Sequence, residues 1–389
     1  MHPTRCGVVM AAAMEADLLT KRQTHMAKTV VFLGAGATGA CLGPMTDDIL
    51  PLIYKRAVDP TSGWSINLLK NFLEQEFHVN AASPKVEYPA LPLVMSLIDT
   101  AIDRRQSLNA NWDVAMLTQL REQVEFALFD LLEVELNRVL TTNHYALLNK
   151  LCAETGEVPC VISTNYDLII DTALMFRSYS QRSDEGPHTG RLPDYRCRIS
   201  TSYYQADGER CGTLLKLHGS LNWLYCKTCQ RLEMGAVKSQ RYGNVLEKLL
   251  GPDVAAAVTP DGAPCSTCGT KVRPLLIAPS HLKDYRNPHL TQVWYEAERV
   301  LREATRVIFI GYSLPDDDLE VVYLLKRCLT RPVPPAITVV EYSAANVEVA
   351  AKDHVVGRRY RTLFGDGIDW HACGMDAWIA KQVGSRTTN

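Results

Sequence analysis

Three polar side chains follow apolar runs in the middle of the sequence, and each could take part in acid–base chemistry or hold a ligand. Asn165 and Asp167 come just after the run Cys160–Ser163, and His218 comes just after Thr213–Leu217. An imidazole titrates near neutral pH and can remove a proton from a hydroxyl group. The amide and the carboxylate could hold a ribose or a water. From spacing alone, Asn165 and Asp167 could equally cap a helix, and His218 could equally be structural.

A glycine-rich segment, Gly34-Ala35-Gly36-Ala37-Thr38-Gly39, directly follows the apolar run Thr29–Leu33. Its GxGxxG pattern is typical of loops in which the backbone turns tightly and approaches a pyrophosphate, while the next helix offers free N–H groups. The alternative is a strand-to-helix turn that needs glycine only for its backbone conformation. The position of the segment at the start of a series of strands favours nucleotide binding.

Two later segments could contact the same kind of ligand. Gly311 and Ser313 follow an apolar run and could meet phosphate or ribose oxygens. The acidic run Asp316–Asp318 is predicted to cap the helix that comes next. Glu341 ends another apolar run and could accept hydrogen bonds from ribose hydroxyls, although from spacing alone an ordinary surface carboxylate is the simpler interpretation.

Four of the twelve cysteines form two CxxC pairs, Cys226 with Cys229 and Cys265 with Cys268. Each pair lets two thiolates bind one cation, and two pairs complete a tetrahedral sulfur site. Because all four ligands are soft, zinc is the expected metal. A closed four-sulfur site has no open position for a substrate, so we expect the zinc to be structural.

Strand-like runs recur along the chain and are separated by helical patterns. Besides the runs above, the sequence predicts strands at Leu275–Ala278, Arg306–Ile310, Ile337–Glu341 and Arg359–Leu363, and helices that include Pro288–Ala304 and Asp317–Leu329. Fully apolar strands that alternate with amphipathic helices predict an α/β fold with a Rossmann-like parallel sheet, covered on both faces.

Two segments interrupt this alternation. Residues 60–155 carry helical patterns, the longest from Asp113 to about Leu140, and residues 223–273 hold the paired cysteines. We therefore predict an inserted helical module (60–155), an inserted zinc-ribbon module (223–273) and one sheet domain built from 26–59, 156–222 and 274–389. Residues 1–25 are predicted to be an N-terminal extension, and residues 178–212 a long loop or hairpin.

Composition excludes several classes of protein. The 389 residues carry a net charge of −2, with 47% hydrophobic residues. A protein that binds nucleic acid usually has more basic than acidic residues, so direct nucleic-acid binding is not expected. No uncharged apolar run approaches the roughly 18 residues of a membrane span. The short run Gly7–Met14 is followed at once by Glu15 and does not suit an export signal. Scattered cysteines in apolar surroundings indicate reduced thiols, which predicts a cytoplasmic location.

Taken in order, these motifs resemble the sirtuin family, at motif level and over about Val30 to Asp366. The glycine loop is similar to the family's GAG[IF]S loop, and the two CxxC pairs are similar to its zinc ribbon. The other matching segments are Ser163–Asp167 (family TQNxD), Leu217-His218-Gly219 (catalytic histidine motif), Val272-Arg273-Pro274 (strand after the ribbon) and Gly311–Leu314 (GTSL).

The resemblance implies NAD chemistry at an asparagine–histidine pair. By that similarity, Asn165 would hold the nicotinamide ribose and a water, Asp167 would lie beside the nicotinamide, and His218 would act as a general base. The implied nucleotide-contacting residues are Gly34, Ala35, Gly36 and Thr38 at the pyrophosphate, Pro44 and Gly311, and Ser313 and Glu341 on the adenosine side.

The sequence departs from the protein deacylases of the family where an acyl-lysine would bind. Pro44 is not followed by the expected Asp-Phe-Arg, Thr164 replaces a glutamine, and Leu275–Ser280 replaces a valine-rich strand that ends in Phe-Gly-Glu. The stretches Gly311–Asp318 and Asn287–Trp294 resemble sirtuin-like effectors of bacterial antiphage defence, which hydrolyse NAD to nicotinamide and ADP-ribose.

The sequence therefore predicts a sirtuin-like NAD glycohydrolase that depletes NAD in antiphage defence. The alternatives are an NAD-dependent protein deacylase, a non-catalytic NAD or ADP-ribose sensor, and an ADP-ribosyl transferase. Uncontrolled hydrolysis of NAD would be toxic, so residues 60–155 are expected to mediate homo-oligomerisation or contact with a regulator. The resemblance suggests a separately encoded ATPase or nucleic-acid-sensing protein as that partner.

Overall fold

A computed structural model describes residues 29–58, 67–80, 85–136, 142–180, 191–200, 208–234, 263–343 and 349–384, together with Ser83 and Tyr204. The predicted extension of residues 1–25 and the segment from 235 to 262, between the cysteine pairs, lie outside these residues. No helix within the described ranges is both long and apolar enough to cross a membrane.

The described strands fall into two sheets. They are β1 (Thr29–Leu33), β2 (Cys160–Ser163), β3 (Leu192–Asp194), β4 (Arg210–Lys216), β5 (Gly219–Cys226), β6 (Arg231–Met234), β7 (Ala263–Pro264), β8 (Lys271–Leu276), β9 (Arg306–Ile310), β10 (Ala336–Val340) and β11 (Asp369–His371). The larger sheet has the order β11-β10-β9-β1-β2-β4-β3, and its strands are parallel. The predicted parallel α/β sheet is confirmed.

Strand β1 lies at the centre of this sheet. Val30 pairs with Cys160 of β2 on one side and with Val307 of β9 on the other. All five residues of β1 are buried, which requires cover on both faces of the sheet. The uninterrupted apolar runs of the sequence are thus the buried central strands.

Helices connect the strands. They are α1 (Ala35–Gly39), α2 (Thr46–Val58), α3 (Asn67–Glu76), α4 (Leu91–Arg104), α5 (Val114–Leu136), α6 (Thr142–Thr155), α7 (Ile169–Ser180), α8 (Pro288–Glu303), α9 (Leu319–Leu329), α10 (Val355–Phe364) and α11 (Gly374–Gly384). Helices α6 and α7 pack together, as do α8 and α9. Asn287 caps α8, its side chain accepting the N–H of His289 at 3.0 Å.

Helices α2 to α5, between β1 and β2, share an apolar core that also includes Leu221 of β5 and Leu276 of β8. It contains Ile53 of α2, Phe72 of α3, Ile98 of α4 and Leu128 of α5, all buried. Phe72 also meets Trp112 edge-on, with ring centroids 4.9 Å apart. Helix α6 instead packs its leucines into the core of the large sheet. The segment thus supplies a second body of packed helices beside the sheet.

The smaller sheet is antiparallel, with the order β6-β5-β8-β7. It carries the paired cysteines. Only Leu217 and His218 separate β4 of the large sheet from β5 of the small one. The predicted strand Leu275–Ala278 belongs in part to β8 and therefore to this small sheet. The histidine singled out in the sequence stands at the junction of the two sheets.

One predicted strand is wrong. Arg359–Leu363 lies within α10, and the last strand of the sheet is β11. Tyr360 is fully buried, and Val356, Leu363 and Phe364 pack against the same core. These residues are spaced three or four apart, so they form one face of a helix. The five residues from 359 to 363 are too few to show this spacing in the sequence.

Candidate functional site

A cavity of about 330 Å³ opens at the carboxyl ends of the central strands. This edge is where open parallel sheets place their ligands, because loops from neighbouring strands converge there. Ten predicted site residues line the cavity: Ala35, Gly36, Thr38, Pro44, Asn165, Asp167, His218, Gly311, Ser313 and Glu341. Gly34 precedes Ala35, and its carbonyl accepts a hydrogen bond from Asn165. The structure thus brings together residues that are far apart in the sequence.

The loop after β1 and the loop after β9 are in backbone contact. The N–H of Gly36 donates to the carbonyl of Gly311 at 2.8 Å. A Cβ on Gly34 would lie 2.5 Å from the Cα of Tyr312, and a Cβ on Gly36 would lie 2.7 Å from the Cα of Gly311. These glycines are therefore required by loop packing, whatever the cavity binds.

Three N–H groups of the glycine-rich segment already have backbone partners. Those of Gly34, Gly36 and Ala37 each donate to a backbone carbonyl at 2.8–3.0 Å. These three N–H groups are therefore not free to donate to a pyrophosphate. Any contact of the loop with phosphate falls to its remaining groups, among them the cavity-lining Ala35.

Asn165, Thr38 and Asp167 form a directed chain of hydrogen bonds. The Nδ2 of Asn165 donates to the Gly34 carbonyl at 2.9 Å and to the Thr38 hydroxyl at 3.0 Å. Thr38 in turn donates to Oδ2 of Asp167 at 2.5 Å. Because both hydrogens of the amide are used, Asn165 can meet a ligand only through Oδ1, as an acceptor.

Asp167 also has the structural role that spacing left open. Its Oδ1 accepts the N–H of Ile169 at 2.9 Å, where α7 begins. The carboxylate is buried. It therefore caps α7 with one oxygen and fixes Thr38 with the other.

A buried ion pair that the sequence did not predict stabilises the loop after β2, which carries Asn165. Lys216, whose side chain is fully buried, donates to the backbone carbonyl of Asp167 and lies 3.1 Å from Oδ2 of Asp171. Tyr195 donates to the other oxygen of Asp171. Burial raises the pKa of Asp171, although Lys216 opposes this shift. The loop that carries Asn165 is thus held by a charged group inside the core.

His218 has one ring nitrogen engaged and one free. Its Nδ1 lies 3.1 Å from the Thr164 carbonyl, which only an N–H can approach favourably, so Nδ1 carries the proton in the neutral ring. Nε2 is buried and has no hydrogen-bond partner among the described residues. Burial lowers the pKa of His218, while the Asp318 carboxylate opposes the shift. The neutral imidazole thus presents an unshared electron pair at Nε2.

The glycine after this histidine is required by the backbone. Gly219 has φ +84°, and a Cβ there would lie 1.9 Å from the carbonyl oxygen of Leu275. Glycine therefore lets β5 leave the histidine in a left-handed conformation and pass close to β8.

Asp318 points at the histidine and does not cap the helix that it precedes. It occupies the N-cap position of α9, but its side chain makes no capping hydrogen bond. Its Oδ1 lies 3.4 Å from Nε2 of His218, and its Oδ2 accepts the hydroxyl of Tyr312 at 3.1 Å. The predicted side-chain capping is therefore wrong for Asp318, because these partners compete for the carboxylate.

Lys283, which sequence reasoning missed, completes this cluster. Its almost fully buried side chain donates to Asp318 and lies 2.7 Å from Oδ2 of Asp317. Burial alone would raise the pKa of Asp318, but His218, Lys283 and Tyr312 together bring it below its usual range. Asp318 is therefore ionised. No local signal distinguishes Lys283, because His281, Asp284 and Arg286 beside it are polar as well.

Glu341 is not an ordinary surface carboxylate. It lines the cavity at the end of β10, and its Oε1 accepts the N–H of Tyr342 at 3.1 Å. Its Oε2 is buried with no hydrogen-bond partner among the described residues, and burial raises its pKa. An unsatisfied carboxylate oxygen suits a hydroxyl donor.

The four paired cysteines lie together in the small sheet. Their sulfur atoms are all within 4.8 Å of one another, and the closest pairs are 3.3–3.6 Å apart. Four sulfurs about 2.3 Å from one zinc ion would be ~3.8 Å apart, so the set fits a closed tetrahedral zinc site. The N–H of Thr267 points to the Sγ of Cys265 at 3.4 Å. The cluster confirms the predicted metal-binding module.

No protein-family model matches the chain, and no curated protein sequence matches it. Among solved structures, a Sir2 homologue in complex with NAD is similar at 14% identity and a TM-score of 0.43, covering 91% of this chain and 89% of that one. A mutant Sir2 homologue in complex with ADP-ribose is similar at 13% identity and a TM-score of 0.42, covering 93% and 96%. A Sir2 protein bound to an acetylated peptide is similar at 13% identity and 0.38, covering 91% of each chain.

Proposed function

We propose that the protein is a sirtuin-like NAD glycohydrolase, which cleaves NAD to nicotinamide and ADP-ribose. The observation that carries this proposal is the buried, unpartnered Nε2 of His218 on the wall of the same cavity as Asn165. A base without a proton and an acceptor amide together suit a reaction in which a hydroxyl or water loses a proton.

The sheet topology supports a nucleotide as the ligand. Chain order changes direction at β1, whose neighbours are β2 on one side and β9 on the other. Ligands of open parallel sheets bind at such a switch point. The loops that flank it contain Thr38 and Ser313, and Glu341 stands one strand further along. The free Oε2 of Glu341 is a suitable acceptor for a ribose hydroxyl.

The reaction mainly requires the protein to position NAD and the attacking water. The nicotinamide of NAD is a good leaving group, and departure leaves an oxocarbenium-like ribose that nearby negative charge and Oδ1 of Asn165 can stabilise. Water then forms the new bond at the anomeric carbon. His218 accepts the proton of that water at Nε2, as general base.

The surroundings of His218 favour water over an acyl-lysine as the nucleophile. An acylated lysine must reach the ribose through an apolar channel. Next to Nε2 of His218 stand Asp318 and its partner Lys283. A charged and polar wall of this kind suits water, and it counts against the deacylase alternative.

The segment Asn287–Trp294, which resembles the defence effectors, also contacts the residues that hold His218 in place. The indole N–H of Trp294 donates to the carbonyl of Leu217 at 3.0 Å, directly before His218. The ring of Tyr285 packs against both side chains in tilted arrangements, with ring centroids 4.6 Å from Trp294 and 6.1 Å from His218. The resemblance of Asn287–Trp294 and Gly311–Asp318 to defence effectors is the reason to extend the proposal to an effector that depletes NAD. The oligomeric state and a regulatory partner that controls it belong to the same proposal.

The test is incubation of the purified protein with NAD, with nicotinamide and ADP-ribose followed by chromatography. Asn165→Ala and His218→Ala are the test variants, and His281→Ala, at an exposed histidine, is the matched control. An acetylated peptide is present in one arm. We expect nicotinamide without peptide in the wild type and the control, and its loss in both test variants.

Other outcomes select the alternatives. Turnover only with peptide, yielding acetylated ADP-ribose, would establish the deacylase. Label retained on protein from radioactive NAD would establish ADP-ribosyl transfer. Binding of NAD by calorimetry without turnover under any condition, including a cell lysate of infected bacteria, would favour the sensor.

A further inference from the structure

Two acceptor atoms without a hydrogen between them face each other in the cavity. Nε2 of His218 and Oδ1 of Asp318 are 3.4 Å apart. In the neutral ring Nε2 has no proton to donate, so the pair makes no hydrogen bond, and Nε2 is left without a partner among the described residues. A buried acceptor in this state costs free energy until a donor satisfies it.

A water molecule can satisfy both atoms at once. An oxygen about 2.8 Å from each acceptor forms a triangle with them, and water has one hydrogen for each. The two lone pairs of that water then point away from the acceptors and into the cavity, which His218 and Asp318 both line.

We propose that Asp318 is a catalytic residue, which together with His218 holds and orients the water that attacks the ribose. The inference rests on the proposed hydrolysis of NAD and deepens it. The sequence resemblance pointed to Asn165, His218 and Asp167, whereas Asp318 was predicted only to cap a helix.

His218 and Asp318 have different roles in removing the proton from the water. The water oxygen bonds to the anomeric carbon while the bond to nicotinamide breaks and its electron pair leaves with the ring. Nε2 of His218 takes one proton of the water, and the imidazolium so formed donates to Asp318. Lys283 and Tyr312 keep Asp318 ionised through this step. Release of that proton to solvent resets the site, so NAD and water give nicotinamide, ADP-ribose and a proton.

The charges around His218 set the pH dependence. Asp318 and Asp317 raise its pKa and Lys283 lowers it, while the rings of Tyr166 and Tyr285 flank it without charge. Loss of the Asp318 charge therefore makes His218 a weaker base and moves its titration to lower pH.

The experiment compares Asp318→Asn with Asp316→Asn, which removes the same charge at an exposed position two residues away. We expect Asp318→Asn to bind ADP-ribose with the wild-type affinity by calorimetry and to release nicotinamide from NAD about 10²–10⁴-fold more slowly, the usual weight of a general acid–base group. The rising limb of its pH–rate profile should move to lower pH. Asp316→Asn should match the wild type in all three.

Two further arms separate water activation from damage to the fold. Asp318→Glu keeps the negative charge for Lys283 but moves the oxygen, and it should melt like the wild type and still be slow. Azide carries no proton and needs no base, so it should restore nicotinamide release in Asp318→Asn and form the azide of ADP-ribose. A folded Asp318→Asn protein that hydrolyses NAD at the wild-type rate would overturn this inference alone. A wild-type protein that never releases nicotinamide would overturn the proposed function and this inference with it.

Discussion

Gly36 and Gly311 bind each other through their backbones, the N–H of the first donating to the carbonyl of the second at 2.8 Å. The contact joins the loops after β1 and β9, on the two sides of the switch point. Gly311 has φ +60°, and a Cβ there would lie 2.3 Å from the N of Ala37. Neither loop can accept a side chain at this contact.

We therefore expect Gly311→Ala to destabilise the fold by about 2–4 kcal/mol, from overpacking together with an unfavourable left-handed conformation. Gly367→Ala is the control, because its Cβ would meet nothing within 4 Å. Urea unfolding measures both. Equal unfolding midpoints would show that the two loops separate without cost.

Thr38→Val tests the hydrogen-bond chain from Asn165 to Asp167. The hydroxyl accepts from Asn165 and donates to Asp167, so valine leaves a buried carboxylate oxygen without its donor. We expect a loss of about 1–3 kcal/mol in unfolding free energy and slower nicotinamide release. Thr38→Ser keeps the hydroxyl and should retain most of both. A serine variant as impaired as the valine variant would assign the effect to packing of the methyl group.

Lys216→Met should strongly destabilise the protein, by about 3–5 kcal/mol, because it leaves the buried Asp171 without its counter-charge. Burial already raises the pKa of Asp171 above that of an unfolded carboxyl. The folded variant then holds the proton more tightly than the unfolded chain, so its defect should grow as pH rises and shrink in acid.

Denaturant unfolding of Lys216→Met at several pH values measures this effect. The double variant Lys216→Met with Asp171→Asn removes both charges and should recover part of the loss. A single variant with the same defect at every pH would contradict the assignment to Asp171.

The hydrolysis rate should rise with pH through a midpoint below 6.5, the ordinary value for histidine, and stay high at neutral pH. Burial lowers the pKa of His218, and the base must be neutral to accept a proton. The check is kcat/KM for NAD from about pH 4.5 to 8, since this ratio reports the free enzyme. A midpoint above 6.5 would mean that Asp318 outweighs burial.

The four-cysteine site should be occupied by zinc in the purified protein. Elemental analysis is expected to find one zinc per chain, and Cys226→Ser should lower both the zinc content and the melting temperature, because such sites contribute folding free energy directly. Cys328→Ser, at a buried cysteine outside the cluster, is the control. Wild-type protein that carries no zinc and is unaffected by a chelator would refute the site.

The sequence predicted the central strands and the polar residues after them because these signals are local. An uninterrupted apolar run such as Thr29–Leu33 identifies a buried parallel strand, and the residue after it must lie at the carboxyl edge. The cysteine spacing likewise predicted the metal cluster.

The parts that sequence reasoning missed depend on contacts between distant segments. Lys283 and Asp318 are 35 residues apart in the chain and form one ion pair. The side chain of Asp318 could either cap α9 or bind Lys283. The local sequence pattern predicts only the capping role. Arg359–Leu363 was mistaken for a strand because five residues show no clear period, and Tyr360 becomes a helix residue only through its core contacts.

Leu217 and His218 alone separate β4 of the large sheet from β5 of the small one. The imidazole is anchored to the end of β2 through the Thr164 carbonyl, while the His218 carbonyl accepts the N–H of Ile277 from the chain leaving β8 at 2.9 Å. The ring is thus fastened to one sheet and its backbone to the other. A displacement of the small sheet relative to the large one would therefore change the position of the imidazole relative to its own backbone.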